Sequence, residues 1–400
     1  MEILYFGSLC DKYWFENTIM KNNAPYTVAQ YMFESSMVEE LCINNNVSIN
    51  YIYRDSYFPK NKHLFFRKNK KALFNTSVKN ISFINLPFIK EICMILNGFI
   101  ITINWAIKTK NTSNKAILLA IQYPPFAFGV KLASKIMTLK RVLIITDVSQ
   151  STYNKEKIKE MPLYKRFIMS LYKNMVKNLE ESYDAYIFFS QAMNNLINKK
   201  NKKNIVVEGI FNFDDIDLNR IEKEYAIMHA GTLSKEVGVK KIIDVFMEIN
   251  DEKLELWLFG DGNLKEYITE MQKIDSRIKY FGFRSRAEVF EYEKKATLLI
   301  NLRNPKDEYT KYSFPSKTFE YMVSGTPFMT TELECIPYEY KEHLIIIKEE
   351  YTNSIKNEIE RVLAKRDELD EKGMKARHFI LENKTAKKQV KKINDLLMSL

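Results

Sequence analysis

Cysteine, histidine and glycine are scarce in this chain of 400 residues, which has four, four and eleven of them. Cys10, Cys42, Cys93 and Cys335 form no CxxC pair and no Cys/His cluster. That scatter argues against structural zinc and against a disulfide framework, and makes the cytoplasm the natural compartment. Long hydrophobic runs are absent as well. The most apolar window, Ile92 to Ile107, is interrupted by Asn97, Gly98 and Asn104 and falls short of the roughly 20 residues that cross hydrocarbon, so it reads as a buried or interfacial helix. The start, MetGluIleLeuTyrPheGlySer, lacks the basic flank and apolar block of a secretory signal, and export by that route is not expected. No internal repeat or low-complexity segment is evident.

What is present is globular and basic. Hydrophobic residues make up 46% of the chain, the net charge is +11 and the pI is near 9.1. Such a surplus draws an anionic partner, and charge alone leaves three candidates: nucleotide diphosphates, nucleic acid or an anionic bilayer. Apolar β-rich runs alternate with helical ones at 3–6, 47–53, 116–121, 141–147 and 185–190. A second series follows near 225–230, 254–259, 278–281, 297–301 and 344–348. This alternation predicts crossover units and parallel sheets. The expected fold is α/β, with two Rossmann-like domains facing each other across a cleft and ligands at the carboxyl ends of the strands. The predicted domains are 1–210 and 223–375, joined by an acidic linker at 211–222 and followed by a terminal helix at 376–400.

The densest chemistry lies in Ile300 to Pro327, INLRNPKDEYTKYSFPSKTFEYMVSGTP. A short strand leads through a polar loop to a helix over 315–323, stopped by Gly325 and Pro327. A helix N-terminus holds an anion, Lys317 in its first turn adds a full charge, and Arg303 after the strand supplies a second. Ser316 stands at the same corner, and Glu320 can accept hydrogen bonds from ribose hydroxyls. The competing reading of Lys317 and Glu320 is an ordinary ion pair on a helix surface.

FPSKTFEYMVSGTP resembles the donor-binding region of bacterial retaining glycosyltransferases of family 4, particularly the capsule and exopolysaccharide enzymes. HAGTLSKEVGVK (229–240), LWLFGDGNL (256–264) and YFGFR (280–284) resemble further elements of that family in the same order. The resemblance implies the GT-B architecture, a nucleotide-sugar donor in the second domain, an acceptor in the first, and a terminal helix that crosses back to the first domain. A hexosyl transfer without metal or other cofactor is expected, since Arg303, Lys317 and the helix dipole can neutralise the leaving nucleotide. Gly231 and Thr232, before a helix expected near Val237, would approach the donor phosphates, with Lys235 nearby; Phe283 would lie beside the base.

Two departures from the family pattern stand out. The basic pair around the first glycine turn is replaced by Thr232 and Val237, which leaves the diphosphate chiefly to Arg303 and Lys317. Of two glutamates eight positions apart, only the later, Glu320, is present, since Tyr312 stands at the earlier position; backbone groups of 308–313 are the expected substitute. In the first domain Gly7 would let donor or acceptor approach the backbone. Ser8 and Asp147, at strand ends, are the acceptor-side candidates. Asp147 is equally read as a helix cap or turn residue. Asp215 and Asp217 match an acid-x-acid metal motif, but they fall in the expected linker, and no metal site is assigned.

Two basic-aromatic stretches, 57–71 and 164–177, are consistent with an anionic membrane surface or with a solvated loop and an ordinary core-facing helix. Single-stranded nucleic acid is not favoured, because no RNA-binding motif accompanies them. The expected function is transfer of a sugar from a nucleotide diphosphate sugar, UDP-linked by preference, to a glycan or lipid-linked acceptor with retained configuration in cell-surface polysaccharide synthesis. Two alternatives stay open: a nucleotide-sugar epimerase or hydrolase on the same fold, and an inactive relative that binds partners in an assembly complex.

Overall fold

The structure is a computed structural model that describes residues 1–10, 28–52, 56–120, 123–148, 163–213, 217–349 and 351–400. It divides into two compact units, Met1–Phe211 with Ala386–Leu400, and Asn212–Thr385.

In the first unit the strands are β1 (Glu2–Gly7), β2 (Asn46–Tyr51), β3 (Phe65–Phe66), β4 (Lys70–Leu73), β5 (Thr76–Asn80), β6 (Phe83–Ile84), β7 (Lys115–Leu119), β8 (Lys140–Ile145), β9 (Ala185–Phe188) and β10 (Lys203–Val206). The helices are α1 (Val28–Asn44), α2 (Ile89–Lys108), α3 (Pro124–Ile136), α4 (Leu163–Glu180) and α5 (Gln191–Ile197). The main sheet has eight strands in the order β10-β9-β8-β7-β1-β2-β5-β4, parallel except for the β4–β5 hairpin. Its central strands are buried on both faces: every residue of β1 from Ile3 to Gly7 is inside, as expected for a parallel sheet covered by helices. The hairpin and the two-residue β3–β6 pair lacked the apolar alternation that marks the other strands and were not anticipated.

The second unit carries β11 (Glu224–Thr232), β12 (Glu255–Asp261), β13 (Ile278–Gly282), β14 (Ala296–Asn301), β15 (Phe328–Thr331) and β16 (Ile345–Ile347). Its helices are α6 (Val239–Met247), α7 (Lys265–Ile274), α8 (Arg286–Lys295), α9 (Lys317–Ser324), α10 (Tyr338–Lys341), α11 (Thr352–Leu363) and α12 (Arg366–Asn383). All six strands are parallel in the order β13-β12-β11-β14-β15-β16. The core joins Leu256, Leu258 and Leu298 of the sheet to Ile242 and Phe246 of α6 and Ile355 and Ile359 of α11.

The segment 376–400, read as one helix, is two. α12 ends at Asn383, and α13 (Ala386–Met398) belongs to the first unit, where it buries Val390, Ile393 and Leu397. Polar contacts tie it there: Asn45 Nδ2 donates to Asn394 Oδ1 at 3.1 Å, and Gln389 Nε2 donates to buried Glu208 at 3.2 Å.

Candidate functional site

The second unit presents the carboxyl ends of β11 and β14 side by side at the point where the strand order reverses. β12 and β13 lie to one side, β15 and β16 to the other, so the loops leaving β11 and β14 diverge there. β11 ends on Gly231 and Thr232. Gly231 has φ +145°, and nothing lies within 4 Å of where a Cβ would stand, so its backbone is open to approach. Thr232 and Lys235 are exposed. Helix α6 starts at Val239 rather than Val237, because Gly238 takes φ +86° as its N-cap. A Cβ on Gly238 would collide with the carbonyl of Leu302. Tyr309, in the one-turn helix Glu308–Lys311, donates its hydroxyl to the carbonyl of Glu236 at 2.5 Å. The two loops are thereby fastened to each other.

Arg303 follows β14. Its Nη1 donates to the carbonyl of Ser313 at 3.3 Å, and its own carbonyl accepts from Thr331 Oγ1 at 2.6 Å. Ser316, exposed, is the N-cap of α9 and makes no side-chain cap bond. Lys317 opens the helix between two carboxylates, 3.3 Å from Glu293 of α8 and bonded to Glu320 one turn on. Glu320 also accepts from Arg286 Nε at 2.9 Å. Two basic and two acidic side chains thus form a mostly buried network between α8 and α9.

Burial sets its titration. It pushes the Glu293 carboxyl up to about 7, against the pull of Lys317. Burial also works to raise Glu320, but Lys317 and Arg286 outweigh it and hold that carboxyl below its ordinary value. For Lys317, burial would lower the pKa; Glu293 and then Glu320 reverse this and hold the ammonium firmly charged. His229, buried on β11, has its Nδ1 3.0 Å from the carbonyl of Ile300. Burial brings it down to about 4, with smaller contributions from Lys317 and Arg303, so it is neutral and the two cations share its neighbourhood.

The sequence reading had Lys317 as a charge available to phosphate; in the fold that charge is already paired. Glu293, Arg286 and Tyr309 were missed. ArgAlaGluValPheGluTyrGluLysLys looks like a charged surface helix, and only its packing against α9 buries Glu293 to 1% exposure. Phe283, 68% exposed after β13, and Arg284 stand at the same edge of the sheet.

In the first unit, the space above Gly7 is filled. A Cβ there would collide with the Glu34 carboxylate and the Tyr5 hydroxyl, so this glycine makes room for a buried side chain rather than for a ligand. Ser8 is 4% exposed, and both its backbone N–H (2.8 Å) and its hydroxyl donate to Glu34, which accepts from Tyr5 at 2.6 Å as well. Burial raises the Glu34 pKa, while these donors oppose it. Asp147 is exposed after β8, with Oδ1 accepting from the N–H of Val148 at 2.7 Å, a turn contact. β7 separates its strand from β1. Asp215 lies outside the described residues; Asp217 is exposed and pairs with Lys294 at 3.6 Å. Among the described residues no three His, Cys, Asp or Glu side chains are grouped as a metal would need.

Comparison with known proteins identifies the fold. The fold is that of the GT-B glycosyltransferases, with parallel sheets in two Rossmann-like halves. Sucrose-phosphate synthase from Thermosynechococcus elongatus is similar at a TM-score of 0.67 and 12% identity, over 100% of this chain and 98% of that one. Anabaena HepE in complex with UDP follows at 0.64 and 13%, over 100% of both chains. The lipopolysaccharide outer core galactosyltransferase WaaB stands at 0.61 and 14%, over 100% and 99%. Residues 224–365 match the family model of glycosyl transferases group 1, and this stretch contains β11 to α11 with the whole Arg303–Lys317–Glu320 region. No curated protein sequence matches the chain.

Proposed function

We propose that this protein is a retaining, metal-independent hexosyltransferase of family 4 that takes its sugar from a UDP-sugar. The acceptor is a glycan or lipid-linked sugar of cell-surface polysaccharide synthesis, and the reaction takes place in the cytoplasm. The observation that carries this is the meeting of an open glycine turn, Arg303 and the N-terminus of α9 at the strand-order reversal, inside the stretch that matches glycosyl transferases group 1. UDP is the nucleotide we favour because HepE, similar over its full length, was solved with UDP.

In this reading the donor diphosphate lies against the N–H groups opening α9 and the Arg303 guanidinium, with Lys317 adding positive potential from its pair with Glu293 and Glu320. Glu320 and Arg286 flank the ribose, and Phe283 the base. The bond between the sugar's anomeric carbon and the diphosphate breaks as the acceptor hydroxyl attacks on the same face. The hydroxyl proton passes to the departing phosphate oxygen, so no protein nucleophile is needed. The cations stabilise the charge that develops on the leaving group. Asp147 orients the acceptor.

The test is thermal-shift binding across UDP, GDP, ADP and CMP and their sugars, followed by product analysis, with Arg303→Ala as the comparison. A shift for UDP that the variant loses is the expected result. Binding that persists in Arg303→Ala would remove the arginine from the site; binding of no nucleotide would favour the inactive assembly partner. Release of free or epimerised sugar without acceptor would favour the hydrolase or epimerase.

A further inference from the structure

Helices α2 and α3 lie side by side on the first unit with their backbones almost touching. A Cβ on Gly98 would meet the carbonyl of Phe126, and one on Gly129 the carbonyl of Ile95. Each helix buries one stripe, Met94, Gly98 and Trp105 on α2 and Ala127, Val130 and Ser134 on α3. At 100° per residue the opposite stripe of each points away from the body of the unit, and the close crossing makes the two outward stripes adjoin.

Those outward stripes are apolar. On α2 they hold Ile92, Leu96, Ile100 and Ile107, each more than half exposed, and on α3 Phe128, Leu132 and Ile136, the last 65% exposed. Phe88, the N-cap of α2, stands 83% exposed with φ +65°, an unfavourable backbone for a bulky residue. Single exposed apolar side chains are ordinary, but a contiguous two-helix face is not. α2 is 20 residues long and apolar enough to cross a membrane by length and composition, yet its inner stripe is packed on the unit, so only one side is on offer.

The stretch of sequence that contains both helices is strongly basic. From residue 56 to residue 140 the sequence carries fourteen lysines and arginines and a single carboxylate, Glu91. That carboxylate is engaged by the hydroxyls of Tyr57 and Tyr123. Lys108 closes α2, and Lys131 and Lys135 alternate with Leu132 and Ile136 along α3. The cations crowd one another: after burial, Lys108, Lys70 and Lys68 lower the Lys79 ammonium, and Arg141 and Lys135 lower that of Lys131.

We propose that the outward face of α2 and α3, with its fringe of lysines, docks the protein on an anionic lipid bilayer. An apolar stripe sinks to the acyl boundary while flanking cations meet the head groups. The site differs from the segments the sequence had suggested. In 57–71, Phe65 is 64% exposed, but Phe66 stacks on Phe83 at 4.5 Å and is not free to insert. Most side chains of 164–177 lie outside the described residues. The proposal stands apart from the donor site and does not depend on the reaction catalysed.

The experiment is flotation of the full chain with phosphatidylcholine vesicles, with and without phosphatidylglycerol, alongside light scattering for oligomeric state. The wild type should float with the anionic vesicles, less so at high salt. The double substitution Leu96→Asp/Ile100→Asp should reduce binding roughly tenfold or more with unchanged melting temperature and nucleotide binding. Lys131→Glu/Lys135→Glu should weaken anionic binding specifically. Undiminished flotation of Leu96→Asp/Ile100→Asp would overturn the proposal. So would a wild type that ignores vesicles, whether it is monomeric or forms a dimer that this variant dissociates.

Discussion

Lys317 has two carboxylate partners, one of them 1% exposed, so its replacement is first a stability event. Lys317→Ala strands Glu293 and Glu320 with only Arg286 to compensate and should cost about 3–5 kcal/mol, read by urea denaturation. A loss of activity in that variant therefore says little about phosphate binding, and Arg303→Ala is the cleaner probe. Glu293 gives a pH prediction. Its folded pKa is raised from 4.5 to about 7, chiefly by burial, so its contribution is fully present below the unfolded value and lost as pH rises through about 7. Wild-type stability should decline between about pH 5 and 8 as this buried carboxyl ionises. Glu293→Gln should flatten that decline in melting curves taken across the window; an identical slope in both proteins would assign it elsewhere.

Among the elements, the N-terminus of α6 depends on Gly238. The residue combines φ +86° with a backbone that presses on Leu302, immediately before Arg303. Gly238→Ala meets both the conformational penalty of a left-handed residue and a clash with a carbonyl, so a loss of roughly 1–3 kcal/mol is expected. The same shift displaces the loop bearing Arg303, and nucleotide affinity should fall along with stability, as calorimetry on the folded variant would register. Such coupling was not legible in the sequence. The turn GlyThrLeuSer was visible, but the glycine that fixes its geometry lies seven residues beyond Gly231 and touches a strand end more than sixty residues away.

For the whole molecule, the chain passes twice through the first unit, because α13 returns there after the second unit is complete. Val390, Ile393 and Leu397 are almost fully buried in that position, each side chain contributing about 1.5–3 kcal/mol of transfer energy. Removing 386–400 should therefore open the first unit to proteolysis while the second keeps its fold and any nucleotide binding, an outcome that limited digestion with mass mapping would reveal. The sequence by itself determined the elements: the alternation of apolar runs, the parallel sheets and the loop-to-helix corner after β14 are encoded within short windows, where periodicity and turn residues act locally. Tertiary structure alone decided which charges meet and which faces stay outside. Glu293 reaches Lys317 across 24 residues of chain only because α8 packs on α9, and Glu34 reaches Ser8 because α1 crosses the end of β1. Helix α2 is apolar on more than one side, so its pattern could not say which side the sheet would take and which would be left to solvent; that choice is made by packing, whose energy depends on partners distant in sequence.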